Sequence, residues 1–372
     1  MRETGRKKFS FRSSGYFIVV LVVSSVCLLC VGAAFINPAD FWGIALFGLL
    51  FHFVYPVNFI LLLVSLLRRK KIFILSFIPF ILGIHTFQGV FQFGFVGDEK
   101  RESDTLSVKV MSYNVRLFDL YNWSNSEGTR KKIFSLLESQ SPDILCIQEF
   151  YSSEKKPLRN LDTLVTFLKA KYYHVEYPVT LRGADHWGIA TFSAYPIFNK
   201  GVVYFGKRNG NVCIYSDVAI HGDTLRIFNT HLESIRFRKE DYRFIQNIEN
   251  SNEDQTLRGS KNILMRMKRA YKKRATEAML IDSLMASSPY KHILCGDFND
   301  PPASYTYAVL SENMQDAFRE SGLGFGATYI GPFPAYRIDY IMHDKSIRSF
   351  NYKKIPVKLS DHYAITCDLS LR

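Results

Sequence analysis

The first 95 residues contain three long apolar runs, and these constrain the fold more than any other feature. They read "YFIVVLVVSSVCLLCVGAAFI" (16–36), "FWGIALFGLLFHFVYPVNFILLLVSLL" (41–67) and "IFILSFIPFILGIHTFQGVFQF" (72–93). The first carries no charge and is long enough to cross a bilayer. Three such runs in succession, joined only by the four-residue connectors "NPAD" and "RRKK", argue against buried helices of a soluble protein. The first run is too long for a signal-peptide core and has no small-x-small cleavage pattern behind it. Residues 1–95 are therefore expected to form a membrane anchor of three transmembrane helices.

The loop charges orient it. Arg2, Arg6, Lys7, Lys8 and Arg12 precede the first run, "NPAD" has no basic residue, and "GDEKRESD" after the third run is acidic on balance. Positive loops stay cytoplasmic. The expectation is a cytoplasmic N-terminus and an extracytoplasmic remainder. Net charge divides accordingly: nine Lys/Arg against two Asp/Glu in residues 1–95, and 38 against 32 beyond. The larger part is only mildly basic, which permits an anionic substrate without requiring nucleic acid. Cys27 and Cys30 lie in the first run, and Cys146, Cys213, Cys295 and Cys367 each sit within an apolar strand-like segment. Buried, unpaired thiols are expected.

After a linker at 96–105, short amphipathic helices ("TRKKIFSLLESQ", "LDTLVTFLKAKY") alternate with many strand-like runs. "VCIYSDVAIHGDTLRIFNTHLES" reads as a hairpin turning at "HGDT". A polar stretch, 239–257, reads as a surface excursion, and a long helix follows at about 258–287. The mixture predicts an α/β sandwich over 106–372. No repeat of fixed period is present.

Polar residues recur where these apolar runs end: Asn114, Glu149, His231, Asp297 with Asn299, Asp339, and Asp361 with His362. In "HILCGDFND" (292–300), strand alternation would point Asp297 and Asn299 the same way. Such a set suits phosphoester hydrolysis. A hard divalent cation takes carboxylates and waters and polarises phosphoryl oxygens. A further carboxylate orients or deprotonates water, and amide and imidazole donors hold the oxyanion. Clustered Cys and HExxH are absent, which argues against zinc.

"MSYNVR", "IQE", "NTHLES", "GDFND", "RIDYIM" and "SDHYAI", in this order, resemble the endonuclease/exonuclease/phosphatase superfamily, which includes DNase I, apurinic endonucleases, sphingomyelinases and inositol polyphosphate 5-phosphatases. The resemblance covers roughly 106–372. It implies a DNase I-like, four-layered α/β sandwich: two packed β-sheets flanked by helices. It also implies roles. Glu149 is the principal metal ligand, with Asp361 a second and Asn114 close by. Asp297 handles the nucleophilic water, and Asn299 holds the phosphate. His362 contacts a non-bridging oxygen and is oriented by Asp339, and His231 sits near the leaving group. The implied cofactor is Mg2+, with Mn2+ as the alternative.

The substrate is left open among lipid head groups, small phosphoesters and nucleic acid. "RMKRAYKKR" (266–274) lies on the long helix, where Leu264, Met267, Tyr271, Ala275, Ala278, Ile281 and Met285 form an apolar stripe. Its Arg266, Lys268, Arg269, Lys272, Lys273 and Arg274 read as a solvated face, with contact to anionic lipid or nucleic-acid phosphates as the functional alternative. Arg182, His186 and Trp187 are further cleft candidates. The competing function classes are a catalytically inactive, membrane-tethered phosphate- or lipid-binding module and a transport protein. No acidic residue lies within an apolar run, which disfavours transport. The bilayer is one expected partner, and no protein partner is indicated.

Overall fold

Three helices open the chain: α1 (Phe11–Gly32), α2 (Ile44–Leu67) and α3 (Phe73–Gln88). The computed structural model describes residues 11–94, 107–168, 170–206, 210–247, 253–331 and 334–371, so the linker expected at 96–105 lies outside the described residues. Two helices, Ser14–Gly32 and Ile44–Leu67, are long and apolar enough to cross a membrane. The third corrects the sequence reading. Its 16 residues reach about 24 Å, short of a hydrocarbon core of about 30 Å. The run does not continue as helix to residue 93, because Phe91–Phe93 form strand β1, paired antiparallel with β11 (Leu323–Phe325). Polar groups tie the helices together. Ser24 Oγ donates to Asn58 Oδ1 (3.1 Å), and Asn58 Nδ2 donates to Ser76 O (2.9 Å).

Two six-stranded sheets follow. One has the order β13-β14-β2-β3-β5-β4, with β2 Ser107–Asn114, β3 Ile144–Ser153, β4 Tyr172–Leu181, β5 Asp185–Ser193, β13 Arg348–Ile355 and β14 Ala364–Ser370. The other has the order β10-β12-β9-β8-β7-β6, with β6 Ile197–Tyr204, β7 Val212–Ile220, β8 Asp223–His231, β9 Lys291–Asp297, β10 Met314–Asp316 and β12 Asp339–Asp344. The sheets meet through Val108, Val110, Ile144, Ile227, Ile293 and Ile341. Helices α4 (Thr129–Gln140) and α5 (Asn160–Phe167) cover the outer face of the first sheet through Phe134, Leu137 and Leu164. Helices α7 (Glu253–Ala286) and α8 (Tyr305–Ser311) cover the second through Ala278, Ile281 and Leu310. Central strands are therefore buried on both faces, which is why they read as continuous apolar runs. This is the expected four-layered sandwich. The six cysteines are buried and unpaired, as expected.

The hairpin β7–β8 turns at His221 and Gly222, both with positive φ (51° and 90°), the geometry of a two-residue turn. Two expectations need revision nearby. The polar stretch 239–257 is not an excursion without structure: Lys239–Gln246 form α6, and α7 begins at Glu253. The apolar stripe of α7 is also shorter than its spacing suggested, since Leu264 is exposed and burial begins near Ala270.

The N-terminal helices lean on the sandwich. A Cβ on Gly48 would meet Ala303 O at 2.5 Å, so only glycine allows that approach. Tyr336 OH donates to Leu49 O (3.0 Å), and Arg319 of α9 (Ala317–Ser321) reaches His85 (2.6 Å) and Gln88 (3.0 Å) of α3.

Candidate active site

Parallel and antiparallel pairing bring the predicted residues to one end of the sandwich. Asn114 is the last residue of β2, His231 the last of β8 and Asp297 the last of β9. Asp339 opens β12, which runs antiparallel to β9, so Asp339 and Asp297 are register partners, as are His231 and Asp297. His362 precedes β14 and bridges to Tyr329.

Glu149 arrives differently. The sequence suggested that β3 ends there, but β3 continues to Ser153 through an irregularity between Ile147 and Phe150, where Glu149 takes a positive φ of 50°. A bulge re-aims a side chain, and this one turns Glu149 towards the cleft. Asn299 needs a second correction. The strand ends at Asp297, so alternation does not place Asn299. It sits in a left-handed turn (φ 54°), its N–H donates to Asp297 Oδ1 (2.8 Å), and its Nδ2 donates to Leu232 O (3.1 Å). Asparagine tolerates that conformation, and the Asp297 carboxylate caps the turn by accepting the Asn299 N–H.

Asp297 is the hub. Asn114 Nδ2 donates to its Oδ2 at 3.0 Å, and His231 Nε2 and His362 Nε2 stand 3.6 and 3.7 Å from the same oxygen. His362 Nδ1 is held by Asp339 at 2.9 Å. His231 Nε2 lies 4.0 Å from Glu149 Oε1 and is buried without a hydrogen-bond partner. A buried donor left unpaired is costly and marks a place prepared for another group.

The electrostatics follow from burial. Burial pushes the Asp297 carboxyl up, and Asp339 adds to this, while His362 and His231 oppose it. Enclosure by the cleft walls also raises Glu149, although about a third of its side chain stays open to solvent; His231 counters this and Asp361 reinforces it. For His362, burial favours the neutral ring, but Asp339 and Asp297 prevail and hold its pKa well above the usual histidine value. The imidazolium is thus poised as a donor.

Carboxylates at the outer part of this cluster could hold a divalent cation. Glu149 and Asp361 keep 32% and 21% of their side chains open to solvent, and the two carboxylates repel one another. Hard cations prefer such oxygen donors and retain waters. Asn114 turns its NH2 to Glu149 (3.4 Å) and Asp297 and its Oδ1 to the Arg116 N–H (3.0 Å), so as placed it orients carboxylates. Asp297, Asp339 and His362 also come within 4.8 Å of one another. There the Asp339–His362 bond already engages Nδ1, whereas Glu149 and Asp361 are open to solvent.

Several contributors escaped the sequence reading. Arg116 Nε holds Asp361 at 3.3 Å; it lies beyond the end of β2 at a positive φ, so strand alternation does not place it. Beneath the site, Gln148 Nε2 donates to Asn229 Oδ1 (2.8 Å), linking the two sheets. Both were visible as lone amides inside apolar runs. Arg274 is not solvated: it is fully buried and paired with Asp300 at 2.7 Å. His186 pairs with Glu154 (3.3 Å) and Trp187 packs on Tyr151, contacts that fasten β5 to β3 and do not involve the site residues.

Comparison with known proteins agrees with this architecture. Residues 111–362 match the Endonuclease/Exonuclease/phosphatase family, and residues 12–90 match a domain of unknown function. No curated protein matches the chain. Among solved structures, an endonuclease/exonuclease/phosphatase family protein from Bacteroides thetaiotaomicron superposes with a TM-score of 0.51 at 17% identity, covering 71% of this chain and 97% of that one. A second, from Bacteroides vulgatus, gives 0.50 at 15%, covering 72% and 99%. At such identities the likeness speaks for the fold alone. The family match spans more than half the chain and takes in every candidate residue from Asn114 to His362, so the chain belongs to the endonuclease/exonuclease/phosphatase family of phosphoester hydrolases.

Proposed function

We propose that this protein is a membrane-anchored, Mg2+-dependent hydrolase that cleaves a phosphoester at Asp297. The observation that carries the reading is the convergence of Asn114, His231 and His362 on one carboxylate oxygen of Asp297, with His231 Nε2 left unpaired beside it. Asp297 orients the attacking water and takes its proton. His362, kept charged by Asp339, donates to a non-bridging phosphoryl oxygen, and Asn299 adds an amide at the same edge. His231 faces the departing oxygen. Glu149 and Asp361 would hold the cation, which when bound supplies charge neutralisation at the phosphoryl group.

Residues 1–95 serve as the anchor and 106–372 as the catalytic domain, with the N-terminus inside and the domain outside the cytoplasm. Supporting this, apolar side chains such as Ile18 (57%), Phe53 (55%) and Leu82 (56%) stand exposed around α1–α3, as lipid-facing residues do. The test uses purified full-length protein with Mg2+ and bis(p-nitrophenyl) phosphate. Hydrolysis should vanish with EDTA and return with Mg2+. It should fall by about two to four orders of magnitude in Asp297→Ala and in His362→Ala. Near-normal turnover in either folded variant would refute the assignment.

A further inference from the structure

Directly after His231 the chain enters a basic hollow. The segment following β8 and the middle of α7 enclose about 310 Å3, with Arg236, Arg238, Arg266 and Arg269 in its wall. Glu233, almost fully buried, organises them: its carboxylate receives Arg269 and Arg236 at 3.3 Å and Lys273 at 3.4 Å. Arg266 is steadied by Asp241 at 2.9 Å. Counting Arg274 with Asp300, and Glu277, which accepts from the Glu233 N–H, six cations meet four carboxylates in and around the hollow among the described residues. The balance is positive, and Arg269 remains 60% exposed. Guanidinium forks suit phosphate oxygens in particular.

Four further contacts locate the hollow. It adjoins the cleft: Asn211 accepts from Arg236 (2.9 Å) and donates to His231 O (3.0 Å). It also lies by the anchor. On the same helix, Lys272 Nζ donates to Ala39 O (2.8 Å) and Lys268 stands 5.7 Å over Trp42, both in the connector between α1 and α2. Arg269 lies between those two lysines in sequence, on the adjoining face of α7. If α1 and α2 span the bilayer, the hollow sits at head-group level.

We propose that this arginine-walled hollow is a second anion subsite, which binds a phosphate of an anionic phospholipid head group. The substrate would then be a membrane lipid carrying another anionic group besides the phosphoester cleaved at Asp297. This rests on the hydrolase reading above and names its substrate class. Bilayer placement favours lipid over nucleic acid, because the anchor holds the hollow where head groups are concentrated.

The test is lipid retention, read in EDTA so that no hydrolysis is needed. Full-length protein is reconstituted in phosphatidylcholine nanodiscs with and without phosphatidic acid and re-extracted, and its bound lipid is counted by mass spectrometry. Wild type should retain about tenfold more phosphatidic acid than Arg269→Glu, the loss of one charge-assisted contact, and Arg269→Lys should recover part of it. Inorganic phosphate should compete, showing that the phosphate group rather than the acyl chains is recognised. Arg238→Ala provides a second variant, and retention by wild type should fall with salt. Equal retention in wild type and both variants would overturn the subsite. Retention of a single-stranded oligonucleotide in preference to the lipid, lost in the same variants, would overturn the lipid class. Bis(p-nitrophenyl) phosphate turnover is measured separately, so a failed hydrolase reading is distinguishable from a failed subsite.

Discussion

Replacing Arg274 by Met tests the least expected feature of the long helix. Its guanidinium is 1% exposed, bonds Asp300 at 2.7 Å and Glu233 O at 2.9 Å, and stacks 4.8 Å over Tyr271. Asp300 is equally enclosed, and Thr306 Oγ1 donates to its other oxygen at 2.6 Å. Burial disfavours both charges; for Arg274 the neighbouring Asp300 outweighs it, while for Asp300 burial prevails over Arg274 and raises the carboxyl. Removing one partner strands the other, at a cost of about 3–5 kcal/mol. At roughly 2–4 °C per kcal/mol for a domain of this size, the melting temperature should drop by about 6–20 °C. Arg274→Met with Asp300→Leu removes both charges and should be no worse than the single variant, giving a coupling energy of at least about 1 kcal/mol. Thermal melts by circular dichroism in detergent measure all three proteins. A single variant within about 1 kcal/mol of wild type, or strictly additive effects, would refute the argument that this is a mutually dependent buried pair. Because Asp300 follows Asn299 directly, the single variant should also lose turnover.

Asp339→Asn keeps the shape of the His362 partner but removes the charge that holds the imidazolium. Turnover should fall by about two orders of magnitude or more with little change in melting temperature, and a large stability loss would indicate a structural role instead. Gly296→Ala would place a Cβ 2.1 Å from Thr230 O at a φ of 153°. It should separate β9 from β8 at the His231–Asp297 pair, costing both stability and turnover, and unchanged activity would contradict the close approach. His174 is held low, at about 4, chiefly by burial, with Lys200 adding to this and a Tyr215 backbone bond opposing. The unfolded chain takes up a proton near pH 6.5 while the folded chain does not. Stability should therefore decline as pH falls from about 6.5 to 4, by up to about 3 kcal/mol, and His174→Gln should flatten that slope in pH-dependent melts.

Much of this was legible without coordinates, because it depends on local pattern. Strands buried on both faces must read as apolar runs, so the sandwich could be read from "VKVMSY", "DILCI" and "HILC". Any one polar residue ending such a run reads as a turn or a solvated strand end, but Asn114, His231, Asp297, Asp339 and His362 stood out together because their types suit one task. Spacing along one element says nothing about which neighbour arrives from another, and there the reading stopped. Whether Arg274 is solvated or buried depends on Asp300, which a separate loop delivers. The run at 72–93 looks uniform, yet its last residues leave the helix to pair with Leu323–Phe325. The bulge that turns Glu149 into the cleft arises from how β3 pairs with β5, and the arginine hollow exists only because α7 packs beside the segment that follows β8. Hydrophobic period and motif order are properties of neighbours in the chain, and they determined the fold class and the identity of the candidate residues. Charge pairing, strand register and the meeting of distant segments are properties of neighbours in space, and tertiary structure alone decided them.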